Sequence, residues 1–165
     1  MTRLKKTTTI YAPIERVFEF VDDPNNVAEY SVGVSRVKGS VRTEQRVGDV
    51  MALTYTALGI RFDEEFTYTK YEKPLILISK VSGPMSGTFH VTLEREASNQ
   101  TLVSLEVEYE IATSALRRVM NRLFLEHVNE KNLDRTLGNI KMMVETGWFN
   151  ETRKEKPTRS QETIA

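Results

Sequence analysis

Thr8-Thr9-Ile10-Tyr11-Ala12-Pro13-Ile14-Glu15-Arg16-Val17-Phe18-Glu19-Phe20-Val21-Asp22-Asp23-Pro24 is the stretch on which the fold turns. Residues 2–11 carry the run Thr7-Thr8-Thr9 followed by Ile10, the β-branched composition of a strand. Pro13 suits a first helical position, and Ile14, Val17, Phe18 and Val21 follow at helical spacing, which predicts a short amphipathic helix over 13–21. Asp22-Asp23-Pro24 stops that helix, and Asp23 can cap a second one over 24–30. The chain therefore opens strand, helix, helix.

Working outward, six β-patterned runs follow at hairpin spacing. They are Val32 to Lys38, Val50 to Leu58, Ile60 to Tyr71, Leu75 to Val81, Gly87 to Arg95 and Thr101 to Ile111. Turn residues such as Gly59, Lys73-Pro74, Ser82-Gly83-Pro84 and Ser98-Asn99 separate the later ones. Runs joined this tightly imply an antiparallel meander, because parallel neighbours need long crossovers. In the last run Val103, Leu105, Val107, Tyr109 and Ile111 share one face, while Ser104, Glu106, Glu108 and Glu110 share the other. One face is buried and one is wet. From Ser114 to Thr146 the period becomes helical, with Thr113 or Ser114 as the expected N-cap and Gly147 at the C′ position. Leu116, Met120, Leu123 and Phe124 point one way along this helix. Leu133, Leu137, Ile140 and Val144 point another, rotated by roughly 100°. Polar Asn129-Glu130-Lys131-Asn132 lies between, so a bend or break near 129–132 is expected.

The β-α-α-β-β-β-β-β-β-α order and the opening motif, an Ala-Pro-x-x-x-Val-Phe helix followed by Asp-Pro, resemble the START-like (SRPBCC) helix-grip superfamily. Within it, the chain is similar to the polyketide cyclase/dehydrase-like and coenzyme-Q-binding-like proteins. Gly48-Asp49 before a long strand and the helix ending near Met143-Val144-Glu145 match as well. The resemblance spans residues 3–147. It implies an α+β helix-grip fold: a seven-stranded antiparallel sheet curved around a long C-terminal helix, with two short helices between strands 1 and 2. It also implies one START-like domain over 1–149, leaving 150–165 as a polar tail expected to be disordered. Members of the superfamily are lined cavities that carry lipids, hormones, quinones or polyketides, and some cyclise or hydrolyse what they hold. Fold alone does not choose among these.

Composition excludes other classes. The 165 residues suit one domain, and hydrophobic residues, at 39%, suffice for a core. Lys+Arg and Asp+Glu stand at 23 each, so no broad field attracts nucleic acid, and no nucleic-acid partner is expected. Absence of cysteine removes disulfides, thiolate nucleophiles and Cys-ligated zinc. No apolar segment follows the positive charges near Met1, and no run reaches membrane-spanning length, so the expectation is a soluble cytoplasmic protein without a transmembrane segment. Nucleophile elbow, P-loop and dinucleotide fingerprints are missing, so no cofactor is expected. His90 and His127 fall on opposite faces with no metal-ligand spacing, and no metal site is expected.

The expected partner is a small hydrophobic molecule. By strand alternation the concave face presents Met51, Leu53 and Tyr55, then Ile60, Phe62, Glu64, Phe66 and Tyr68, then Phe89, Val91 and Leu93, then Leu105, Val107 and Tyr109. Helical positions Met120, Leu123, Phe124 and His127 face it. These residues either line a pocket or simply fill the core. Glu64 is the sharpest signal, because its register with Phe62, Phe66 and Tyr68 turns a carboxylate inward. It then acts as general acid/base or ligand anchor with a raised pKa, or else a bulge or a basic partner makes it structural. His127 is the candidate second member of an acid/base pair, against the reading of a satisfied helical histidine. Three functions compete: binding of a hydrophobic ligand, a cyclase/dehydratase- or hydrolase-type enzyme using Glu64 and His127, and a protein-interaction module whose exposed feature is Trp148-Phe149.

Overall fold

The structure, a computed structural model, describes residues 1–39 and 47–147. Trp148-Phe149 and the polar tail at 150–165 lie outside the described residues. Strand β1 (Thr2–Ile10) leads into α1 (Ile14–Asp22) and α2 (Pro24–Tyr30). Six strands follow: β2 (Val34–Gly39), β3 (Val50–Ala57), β4 (Ile60–Glu72), β5 (Ile76–Ser82), β6 (Met85–Ala97) and β7 (Gln100–Ile111). The chain then forms α3 (Ser114–Val119) and α4 (Arg122–Thr146). All strands join one antiparallel sheet of order β1-β7-β6-β5-β4-β3-β2, so β1 pairs with the last strand and every other pair is a hairpin.

The opening motif folds as its residues dictate. Ile14, Val17, Phe18, Phe20 and Val21 of α1 are buried. Buried Thr101 on β7 donates to the Ala12 carbonyl at 2.8 Å, which pins the strand-to-helix corner to the sheet. Asp23 caps α2 by accepting from Asn25 N at 2.9 Å. The main core joins α1 to Leu133, Leu137, Ile140 and Val144 of α4 and to Val91, Leu93, Val103 and Leu105 of the sheet. Burying this many large side chains, at roughly 1.5–3 kcal/mol each, dominates the folding free energy.

The C-terminal helix departs from expectation. It runs unbroken through 129–132, and the break lies earlier, at Met120 and Asn121, both in extended conformation. Asn121 starts α4 by accepting from Phe124 N at 3.3 Å. Met120 is buried against Phe62, Tyr109 and Leu125, which anchors the joint. At the other end Gly147 closes α4 in the left-handed region, φ 69°, with its N–H on the Val144 carbonyl. The rotation between the two apolar directions in the sequence therefore marks two helices rather than a bent one.

Candidate functional site

Helix α4 lies chiefly along β1, and its other principal neighbours are α1, α2, β3 and β7. The middle strands β4–β6 curve away from it. A cavity of about 190 Å³ occupies the space between. Phe66, Phe89 and Val107, in the middle of the concave face, remain only half-buried because the space before them is empty rather than packed. Val21 and Val27 close one end, together with Leu77, Val91 and Ile140. On the α2–α4 side, half-buried Tyr30, Ser31, Val32 and Asn132 stand between the hollow and solvent.

The opposite end is polar. The C-terminal end of β3, the N-terminal part of β4 and the C-terminal end of β7 meet there, carrying Tyr55, Glu64 and Tyr109. Asn129 on α4 ties two of them together. Its Oδ1 accepts from the Tyr55 hydroxyl at 2.6 Å, and its Nδ2 donates to the Tyr109 oxygen at 2.8 Å. Asn132 donates to the Tyr55 oxygen at 3.0 Å. Strands β3 and β7 are separated by three others in the sheet, so this network clamps the curved sheet onto α4. Burial, the largest influence, pushes the Tyr55 and Tyr109 phenols up, against the opposing effect of their asparagine hydrogen bonds. Both hydroxyls keep their protons at neutral pH.

Glu64 is 3% exposed and belongs to the cavity wall. Its Oε1 accepts from the Met85 amide at 2.9 Å, while Oε2 is buried with no hydrogen-bond partner. The Ser82–Met85 turn sits directly on the carboxyl. Gly83, at φ 149°, has no room for a side chain, since a Cβ there would lie 2.1 Å from Oε2. Burial raises the Glu64 pKa from 4.5 to about 7, ahead of the lowering effect of the Met85 hydrogen bond and the raising effect of Asp63. Among the described residues no lysine, arginine or histidine lines the cavity, so none of them neutralises the carboxyl there.

Eleven residues expected from strand alternation line this space: Met51, Leu53, Tyr55, Glu64, Phe66, Tyr68, Phe89, Val91, Leu105, Val107 and Tyr109. Seven others do not. Phe62 and Met120 are buried in the second core cluster, with Ile60 packed against it, and Leu93 is buried in the main core rather than in the cavity wall. Leu123 and Phe124 are 75% and 56% exposed, and His127 is exposed as well. Continuing the helical phase of Met120 points those three inward, and the break at Met120–Asn121 resets that phase. Glu64 and His127 therefore form no acid/base pair. The alternation reading missed Leu77, Ser79 and Val81 on β5, although their period of two was available. It also missed Asn129, Leu133, Thr136 and Ile140, which lie on one face of α4. Among the described residues no group of three or more His, Asp or Glu could hold a metal ion, and no helix is long and apolar enough to cross a membrane.

Comparison with solved structures places this architecture. A protein of Thermus thermophilus superposes with a TM-score of 0.72 at 17% identity, covering 88% of this chain and 99% of that one. An aromatase/cyclase from a Streptomyces species gives 0.70 at 16%, covering 95% and 99%. A START superfamily protein from Mycobacterium smegmatis gives 0.70 at 11%, covering 87% and 97%. At such identities the likeness is one of fold. No curated protein matches the sequence. The family model described as polyketide cyclase / dehydrase and lipid transport, by contrast, matches residues 1–145. The curved sheet, the long C-terminal helix and that match agree: the chain belongs to the polyketide cyclase / dehydrase and lipid transport family.

Proposed function

We propose that the chain binds one small, predominantly apolar molecule in the cavity between the sheet and α4. One observation carries this reading: a space of about 190 Å³ is walled mainly by aliphatic and aromatic side chains, with the Tyr55–Asn129–Tyr109 network and the Glu64 carboxyl among the few polar groups on its wall. Apolar cavities on the order of 150 Å³ hold guests the size of benzene, so this one suits a molecule of one or two rings rather than a long acyl chain. Family membership supports a ligand-binding or cyclase role in general. Native mass spectrometry of the purified protein, alone and after incubation with propylbenzene, tests the proposal. A noncovalent complex is expected for the natural chain and not for Val107→Trp, whose ring occupies the hollow. Equal complex formation by the two proteins, or none by either, refutes it.

A second reading is favoured by Glu64 itself. A buried carboxyl that titrates at about 7 among phenol and amide groups suits general acid/base chemistry on a bound carbonyl compound. In this form the enzyme reading relies on Glu64 with Tyr55 and Tyr109, because His127 faces away. Turnover of a trapped ligand, lost in Glu64→Gln while binding persists, would select it. The interaction-module alternative gains nothing from the described residues, since the interior is hollow and Trp148-Phe149 lie outside them.

A further inference from the structure

The reading of the cavity as a ligand site leaves open what its polar end selects. Tyr55, Tyr109 and Asn129 satisfy one another, and Asn132 completes the set. Glu64 is different: it is buried, it lines the cavity, and one of its oxygens has no hydrogen-bond partner. A buried acceptor without a donor costs free energy; this oxygen lies under Gly83, so a guest recovers that cost by turning the carboxyl toward the cavity. The surroundings fix the sign of that guest. Phe66 and Phe89, packed edge to face at 6.0 Å between ring centroids, stand on the same concave wall and present π-density rather than positive charge. Among the described residues no cationic side chain lines the wall.

We propose that the cavity selects compact apolar molecules whose head group is a hydrogen-bond donor, an alcohol or an amine, held at Glu64, and that it rejects carboxylates of the same size and shape. An incoming carboxylate meets a like-charged acceptor in a wall whose described residues include no cation, so its own desolvation goes uncompensated. An alcohol donates a hydrogen bond to Glu64 and brings no charge that must be desolvated. An ammonium donates and also neutralises the carboxylate. The raised pKa of Glu64 adds to this selection, because it reports how poorly the free site supports a negative charge. Gly83 lets the turn sit directly on the carboxyl, which closes the protein side of Glu64.

The inference rests on the binding function proposed above, and the test separates the two. Phenylpropanol, phenylpropylamine, phenylpropanoate and the headless propylbenzene are titrated by calorimetry at pH 8 against the natural chain and Glu64→Gln. The alcohol and the amine are expected to bind at least about tenfold tighter than phenylpropanoate. In Glu64→Gln the penalty on phenylpropanoate should fall below about threefold. Phenylpropanoate binding as tightly as the alcohol and amine overturns the inference, and that ranking needs no variant. A ranking left unchanged by Glu64→Gln, with the variant's circular dichroism native, overturns the assignment to Glu64. Binding of propylbenzene without discrimination among the heads removes the inference alone. Failure of all four to bind removes the cavity reading beneath it.

Discussion

Replacing Glu64 by glutamine should make the protein more stable at alkaline pH and no more stable in mild acid. The folded carboxyl titrates at about 7, against 4.5 for the free group. Between those values the folded state keeps a proton that the unfolded chain has released. Stability therefore falls as pH rises through that window, and the cost is complete above about 7. At about 1.4 kcal/mol per pH unit, the full cost approaches about 3 kcal/mol. Glutamine retains an oxygen to accept from the Met85 amide, 2.9 Å away in the natural chain, and carries no charge at any pH. Urea unfolding of both proteins at several pH values from 4.5 to 8.5 gives the difference directly, since every other group contributes equally to both. The gap should open by about 2–3 kcal/mol toward pH 8 and nearly close at pH 4.5. A gap of constant size across the range would refute the burial of an uncompensated carboxyl.

Three further outcomes follow from the geometry. Gly83→Ala would place a Cβ 2.1 Å from Glu64 Oε2 and 2.7 Å from the Asp63 carbonyl, at a φ of 149°. It should destabilise by about 2 kcal/mol or more, and an unchanged melting temperature would show that the turn is not seated on the carboxyl. Asn129→Ala takes a partner from both the Tyr55 and Tyr109 hydroxyls and should cost about 1–3 kcal/mol in urea unfolding. A cost near zero would mean that the clamp between β3, β7 and α4 carries no weight. His127→Ala should leave stability within about 0.5 kcal/mol and probe binding unaltered, because the ring is exposed. A loss of binding would return His127 to the site.

Local chemistry explains what could be read before the structure. Strand boundaries followed from turn residues and alternation, and α1 and α2 from Pro13, Asp23 and Pro24, because each of these acts within a few residues of itself. Glu64 was readable for the same reason. A period of two carries a side chain inward whatever the rest of the chain does, and no bulge intervenes between Ala57/Ile60 and Val50/Thr67 in the β3–β4 register. Asn129 was not readable as a buried residue. Its partners, Tyr55 and Tyr109, lie 74 and 20 positions away, so a satisfied core amide looked like a polar interruption of the helix. That one misreading displaced the break from Asn121 to 129–132. It also carried Leu123, Phe124 and His127 to the wrong side, since a helical phase is only as good as the continuity assumed for it.

The account depends on an unfilled room between the middle strands and α4. Xenon settles in apolar hollows and is expelled from close-packed interiors. A crystal of the protein pressurised with xenon should show an ordered xenon site among Leu53, Phe66, Phe89 and Val107. Diffraction data with no xenon at that position, and the four side chains meeting in van der Waals contact, would contradict it.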